Sequence, residues 1–361
     1  MKMALKEAKK AYDLNEVPIG CVIVRDDKVI GKGYNKRNTD KNVLSHAELI
    51  AMKQACKKTG DWRLEDCTMY VTLEPCSHYG KTPPCAELII RTGIPRVVVA
   101  TIDPNPKVGG RGIEMLRGAG VEVETGMLEQ EARNLNRRFF TSQLLDRPWI
   151  TLKWACSADG YMDCRRDAGS TPAYRFSTDL TGMMTMRVRS LHDAVLTTVA
   201  TVEADDCRLT VRGWYGRQPM RFVLDLHGRA DASRVVFRPL EVVAGSVAES
   251  GEEADLRGIG AATALADGDW DDLEGLFRRL YREYGVSSVL VEAGPRMLGR
   301  LIKYGLWDAA REEVAASVVL GDAGNGRAPQ LPGYLLTGSE TTDHNRLNHY
   351  LRCRDVVFAR V

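Results

Sequence analysis

At 361 residues the chain is too long for one compact core of ordinary size and suits two domains. Hydrophobic residues at 44% and charged residues at 27% let each half bury a core beneath a polar surface, which excludes a disordered or low-complexity protein. The 50 basic residues against 48 acidic ones leave a formal net charge of +2, too weak a field to gather a polyanion, so nucleic acid is not expected as a partner.

Residues 1–15 read as an amphipathic helix, with Ala4, Leu5, Ala8, Ala11 and Tyr12 on one side and lysines elsewhere. The segment lacks the apolar central run and small-residue cleavage site of a signal peptide. No later stretch reaches the roughly 18 consecutive apolar residues of a membrane span, so a cytoplasmic protein is expected. Nine cysteines without framework spacing suit thiols in a reducing compartment, and metal binding is the better use of any that cluster.

Strand-like runs at 18–25, 69–73, 96–101 and 121–124 alternate with helical patterns at 45–58, 84–92, 113–119 and 128–140, which argues for a layered α/β domain. Arg25-Asp26-Asp27-Lys28 has turn composition and predicts a hairpin between the first two strands. Polar Thr141-Ser142-Gln143 and Asp146-Arg147-Pro148 break the pattern, placing a boundary there: residues 1–145, then 146–361. The second half predicts strands at 149–156, 194–198, 220–225 and 286–292 and helices at 179–192, 270–284 and 296–304, a second α/β domain. The stretch 229–268, rich in Ala, Gly and Glu, yields no site.

His46-Ala47-Glu48 opens a helical pattern, Pro75-Cys76 closes a strand, and Pro84-Cys85 opens the next helix. One imidazole and two thiolates held near helix N-termini, whose partial positive charge favours thiolate, are a zinc ligand set with an open fourth position for water. Zinc brings that water to hydroxide near neutral pH, and Glu48, two residues from the histidine, is placed to take and return its proton. This is the His-x-Glu, Pro-Cys pattern of zinc nucleobase deaminases, in which an exocyclic amine leaves as ammonia. A closed structural zinc would need a fourth ligand, and His78 is the nearby candidate.

The run Thr72-Leu73-Glu74-Pro75-Cys76-Ser77-His78-Tyr79-Gly80-Lys81-Thr82-Pro83-Pro84-Cys85 resembles the bifunctional deaminase-reductases of riboflavin biosynthesis, in which the two cysteines stand further apart than in most nucleobase deaminases. The resemblance continues through Asp103-Pro104-Asn105-Pro106-Lys107-Val108-Gly109-Gly110-Arg111-Gly112 to Leu135-Asn136. It implies a cytidine-deaminase-like three-layer domain that removes a ring amine from a diaminopyrimidinone ribosyl phosphate. Glu16-Val17-Pro18-Ile19-Gly20, the long 34–45 loop and Gly60-Asp61-Trp62-Arg63-Leu64 look instead like the tRNA adenosine deaminases. That likeness implies the alternative of an adenosine deaminase with a non-catalytic second domain, where Asn35 would help hold the base.

In the second half, Leu152 through Gly160, Ala200-Thr201-Val202-Glu203-Ala204-Asp205-Asp206, Leu209-Thr210-Val211-Arg212 and Val291-Glu292-Ala293-Gly294-Pro295 are similar to the same family's reductase. The resemblance implies a dihydrofolate-reductase-like α/β domain that uses NADPH to reduce the ribosyl sugar to a ribityl chain. By that carry-over Ala155, Thr201, Asp205 and Gly294 contact NADPH, while Arg189, Leu209, Arg212 and Glu292 meet the phosphorylated substrate. The expected partners are thus Zn2+, NADPH and a phosphoribosyl pyrimidine, and the family's reductase domains commonly pair, so a homodimer is expected. Arginine forks suit a phosphate dianion, and glycine after a strand admits a cofactor's phosphates.

Cys207, Leu226 and Phe176 depart from the family's usual residues, and Arg311-Glu312-Glu313 stands where an apolar strand is expected, a charge pattern suited to an edge. Cys21, Cys56 and Cys67 read as small core residues, and Trp62 and Trp154 as packing. Lys36 and Arg37, with Lys41 nearby, read as a solvated loop.

Overall fold

The computed structural model describes residues 1–79, 83–105, 108–166, 173–238, 261–265 and 272–353. The chain divides into two compact units, Met1–Leu145 and a second beginning at Asp146. Among the described residues, no helix is long and apolar enough to cross a membrane.

The first unit runs α1 (Lys2–Asp13), β1 (Gly20–Arg25), β2 (Lys28–Tyr34), α2 (Ala47–Thr59), β3 (Thr68–Val71), α3 (Cys85–Arg91), β4 (Arg96–Val99), α4 (Arg111–Gly118), β5 (Glu122–Thr125), α5 (Glu129–Leu135) and α6 (Arg137–Leu145). Its sheet has the order β2-β1-β3-β4-β5; β1 is antiparallel to both neighbours, and the remaining pairs are parallel. The predicted hairpin forms, with Asp26 and Asp27 both at positive φ, as a two-residue turn between twisted strands requires.

Glycines bring two helices onto this sheet. A Cβ at Gly33 would lie 2.1 Å from the Ala47 carbonyl oxygen of α2, and one at Gly20 would lie 2.0 Å from that of Ala4 in α1. Gly33 pairs across the hairpin with Cys21 and Gly20 with Tyr34, so the two contacts fall on opposite faces and make three layers. Ile23, Met69, Val71, Val97, Val99, Ala51, Ile89 and Leu116 fill the core. Close seating of α2 matters because its first turn carries the site.

The helix predicted over 128–140 is instead two helices, broken at Asn136. The Asn136 amide donates to the carbonyls of Pro18 at 2.9 Å and Ala132 at 3.1 Å, tying the break to the start of the sheet. The polar Thr141 and Ser142, read as interrupting the pattern, lie buried within α6, where Ser142 returns its hydroxyl to the Phe139 carbonyl.

The second unit continues with β6 (Trp149–Ser157), β7 (Tyr161–Cys164), α7 (Asp179–Ser190), β8 (Ala194–Thr198), α8 (Val199–Asp205), β9 (Met220–Leu224), β10 (Thr263–Leu265), α9 (Leu273–Arg282), β11 (Ser288–Val291), α10 (Pro295–Lys303), β12 (Ala309–Ala315), β13 (Gly324–Arg327), β14 (Tyr334–Thr342) and β15 (Asn345–Arg352). Among the described residues, eight strands form one sheet in the order β10-β9-β8-β11-β6-β12-β15-β14, and β7 pairs with β13. Pairs from β10 to β12 are parallel, while β15 is antiparallel to both its neighbours. Ile150, Leu152, Trp154, Leu196, Phe222 and Val291 bury one face against Phe277, Leu298 and Leu301. Most of the 229–268 stretch beyond Arg238, and Trp270, lie outside the described residues.

The edge expected for Arg311-Glu312-Glu313 is wrong. β12 lies inside the sheet, between β6 and β15, and its two carboxylates are tolerated there because neighbours satisfy them. The buried Glu313 carboxylate accepts from Ser177 Oγ (2.7 Å), Thr181 Oγ1 (2.6 Å) and Asn345 Nδ2 (2.7 Å), while Arg311 donates to the Met184 carbonyl (3.2 Å). Glu312, on the other face, accepts from Asn348 and Tyr350. Trp62 also departs from expectation: it is 60% exposed, with the Arg63 guanidinium over its ring, whereas Trp154, Cys21 and Cys67 are buried and Cys56 partly so.

Candidate active sites

In the first unit, the extended backbone of His46 makes it the N-cap of α2, so Glu48 falls in the first turn. Cys76 sits in the loop after β3, and Pro84, the N-cap of α3, makes Cys85 that helix's first residue. The donor atoms of His46, Cys76 and Cys85 gather within 4.8 Å of one another. Cys85 Sγ lies 3.4 Å from His46 Nδ1, and the Cys85 backbone N–H donates to Cys76 Sγ at 3.3 Å. Tetrahedral bonds of about 2.3 Å to sulfur and about 2.1 Å to nitrogen place N and S about 3.6 Å apart, so a zinc-sized ion fits. His78 is exposed and outside this group, and the three-ligand set leaves one coordination position open.

The electrostatics suit a cation. A hydrogen bond from the Cys85 thiol, assisted by His46, pulls the Cys76 thiol down to about 4, and the same shared proton together with burial pushes Cys85 well up. The hydrogen bond with Cys76 raises His46. A bound cation would displace the protons held among these donors. Burial, and then the negative charge at Cys76, push the Glu48 carboxyl up to about 7, where it can both take and give a proton near neutrality.

In the second unit the sequence-predicted residues gather at one side of the sheet. Alternation and register put Thr151, Lys153 and Ala155 of β6, Leu290 and Glu292 at the end of β11, and Arg311 and Glu313 of β12 on the same face. Arg189, in the last turn of α7, reaches this face and grips Glu292 through two bonds, Nε to Oε1 at 2.6 Å and Nη2 to Oε2 at 2.9 Å. Although burial would raise it, the Glu292 carboxyl is held down to about 2 by that guanidinium. Arg189 Nη1 also donates to the Thr210 carbonyl at 2.9 Å, and exposed Arg212 donates to Thr210 Oγ1 at 2.7 Å, linking the two expected phosphate contacts.

Leu209 is buried among Val195, Val199 and Val202, so its side chain serves the core and a ligand would meet its backbone. Thr201 and Asp205 lie on α8, with Thr201 Oγ1 3.2 Å from Thr198 Oγ1 and Asp205 paired to Arg166 at 3.1 Å. Gly294 is the N-cap of α10, with Pro295 behind it and open space where a side chain would stand, an arrangement that admits an anion to the helix N-terminus. Ala155 is part-exposed opposite Glu313.

Sequence reasoning missed Lys153 and Arg166. Lys153 stands among the charges of Glu292, Glu313, Arg189 and Arg311, and burial lowers its amine's hold on a proton. A lysine between Leu152 and Trp154 in an otherwise apolar strand was the available signal. Arg166, which bonds Asp163 and Asp205, gave none, because its partners are brought together only by the fold.

Comparison with known proteins accounts for both units. Residues 1–101 match the family model for the cytidine and deoxycytidylate deaminase zinc-binding region, and residues 148–351 match that for the RibD C-terminal domain. The riboflavin biosynthesis protein RibD of Aquifex aeolicus is 38% identical over 337 residues, covering 90% of this chain and 89% of that protein. Its Escherichia coli counterpart is 34% identical over 340 residues, covering 90% and 88%. Among solved structures, the diaminohydroxyphosphoribosylaminopyrimidine deaminase/5-amino-6-(5-phosphoribosylamino)uracil reductase of Thermotoga maritima aligns with a TM-score of 0.77 at 32% identity, covering 98% of this chain and 97% of that one. Acinetobacter baumannii RibD aligns at 0.78 and 28%, covering 98% of each. With two relatives above 30% identity aligned over nearly their whole length, and both units matched, the chain belongs to the RibD family of bifunctional deaminase-reductases.

Proposed function

We propose that the chain catalyses two successive steps of riboflavin biosynthesis. The first unit, residues 1–145, hydrolyses the ring amine of 2,5-diamino-6-(5-phosphoribosylamino)pyrimidin-4-one to release ammonia. The second, residues 146–361, reduces the ribosyl chain of the resulting 5-amino-6-(5-phosphoribosylamino)uracil to its ribityl form. The observation that carries this reading is the meeting of His46, Cys76 and Cys85 beside a buried Glu48 whose carboxyl is poised near neutrality. Bound Zn2+ would supply hydroxide at neutral pH. Glu48 takes a proton from water and delivers it to the departing amine, so its carboxyl ends the cycle as it began.

In the second unit, NADPH would supply the hydride. Ala155, Thr201, Asp205 and the Gly294 turn hold the cofactor; Arg189, Arg212, Glu292 and the Leu209 backbone hold the substrate, with Arg212 free to meet its phosphate. Lys153, a half-buried amine whose hold on its proton burial lowers, is the proton source we assign for the sugar oxygen. A homodimer and a cytoplasmic location accompany this reading; none of the nine cysteines forms a disulfide, as a reducing compartment would keep them.

Purified chain with zinc and NADPH should release ammonia from the diaminopyrimidinone and oxidise NADPH afterwards. Glu48→Gln should lower deamination by about 10²–10⁴-fold while leaving reduction of the supplied uracil intermediate intact. Ammonia release without NADPH oxidation would remove the reductase half, and a fully active Glu48→Gln would remove the deaminase mechanism.

A further inference from the structure

Glu74 lies two residues before Cys76 and is 4% exposed. Its carboxylate makes no ion pair with a cationic side chain among the described residues and instead accepts four backbone N–H groups. Oε2 takes those of Asp103 at 3.2 Å and Gly110 at 2.8 Å; Oε1 takes those of Gly112 at 2.8 Å and Ile113 at 3.3 Å. One side chain therefore pins both ends of the connection from β4 to α4. It also supplies from afar the cap that α4 lacks, since Gly110 at that helix's N-cap has no side chain to offer.

The surrounding chain is built around this carboxylate. A Cβ on Gly112 would stand 2.1 Å from the Pro75 carbonyl oxygen and 3.1 Å from Glu74 Oε1, so only glycine lets the α4 N-terminus come this close. The Glu74 N–H donates to the Thr101 carbonyl at 3.0 Å, which fixes the Glu74 backbone beside the end of β4. At the other end of the connection, Asp103 lies close enough to Cys76 and His78 for their charges to act on its carboxyl, and it folds back to accept the Asn105 N–H at 2.8 Å. Glu74 stands two residues before Cys76, and Gly112 packs on the carbonyl of Pro75, the residue before Cys76, so Glu74 ties the Asp103–Asn105 turn to the segment that carries this metal ligand.

We infer that Glu74 is a positioning residue for substrate recognition: it holds the Asp103–Asn105 turn against the pocket in which the pyrimidine binds. The inference rests on the deaminase reading above. Among the described residues Glu74 makes no hydrogen bond to His46, Cys76 or Cys85, so its loss should loosen substrate binding before it disturbs the chemistry. A buried carboxylate that collects four N–H groups is a rigid strut, because each lost bond leaves an unpaired donor in the interior.

The test uses the full zinc-loaded chain and the diaminopyrimidinone ribosyl phosphate. Glu74→Gln should retain full zinc and full reductase turnover, raise the deaminase KM roughly tenfold or more, and change kcat by less than about threefold. Glu74→Asp should fall between the two. Hydrogen exchange at the Gly110, Gly112 and Ile113 amides should quicken in step with KM. Unchanged KM with full zinc overturns the inference, as does parallel loss of zinc and kcat, which would mark Glu74 as support for the metal ligands alone. If Glu74→Gln fails to fold, the exchange and KM of Glu74→Asp decide, and amides protected as in the parent overturn it. A parent chain that releases no ammonia from this substrate would instead refute the deaminase reading itself.

Discussion

Replacing Glu292 by Gln removes the negative charge from the buried fork with Arg189 while keeping the side chain's shape. Burial works to raise this carboxyl, yet Arg189 wins and holds it at about 2 against an ordinary 4.5. That gap corresponds to about 3 kcal/mol at neutral pH. Because the folded-state value is depressed, the stabilisation is complete above pH 4.5 and fades as pH falls toward 2. The variant also strands the Arg189 guanidinium, which is about one-tenth exposed, and this keeps the expected cost near 3 kcal/mol rather than below it. Urea unfolding followed by tryptophan fluorescence can read this loss, since five of the six tryptophans, all except Trp62, belong to the second unit. The gap between parent and variant should be about 3 kcal/mol at pH 7 and less than half of that near pH 3. A gap under about 0.5 kcal/mol at pH 7, or one that does not shrink on acidification, would refute the electrostatic account.

Asp308 and Arg147 form a second buried fork, at 2.7 and 3.0 Å, and Asp308 also accepts the Ile150 N–H at 2.8 Å where β6 begins. Asp308→Asn should lower the second unit's unfolding free energy by about 3–5 kcal/mol, measurable by the same fluorescence titration. Cys85→Ser should lose bound zinc by elemental analysis, and ammonia release with it, while reduction of the supplied uracil intermediate continues.

The elements that were legible in the sequence are those whose pattern is local. The strands of the first unit, the Asp26-Asp27 turn and the helices opening at His46 and Cys85 follow from period and turn chemistry alone. The metal site was legible for a related reason: His46 and Cys85 stand where helices open and each cysteine follows a proline, although Cys76 lies in the loop beyond β3 rather than at the strand's end. Asn136 hid the α5–α6 break because its bond to Pro18 spans the whole unit, and nothing near it in the chain announces that partner. β12 was misplaced because Glu313 is satisfied by Ser177, Thr181 and Asn345, residues scattered over 168 positions of sequence. β7, β13, β14 and β15 went unpredicted; β14 in particular is almost wholly exposed along one edge and carries little hydrophobic period to detect. In the second site, family likeness located Arg189 and Glu292 but not that they grip one another, which only packing reveals.

The alternation of β12 has a genetic consequence. Arg311 and Glu313 face one side of the sheet and Glu312 the other: Glu312 is answered by Asn348 opposite it on β15, Glu313 by Asn345 of β15 together with Ser177 and Thr181, and Arg311 by the Met184 carbonyl of α7. Displacement of this strand by a single residue would turn all three ions toward the wrong layer at once. The segment between Trp307 and Ala315 can therefore drift by exchange of side chains that keep the beat of the pattern, but a one-codon insertion or deletion there would cost the second unit its fold.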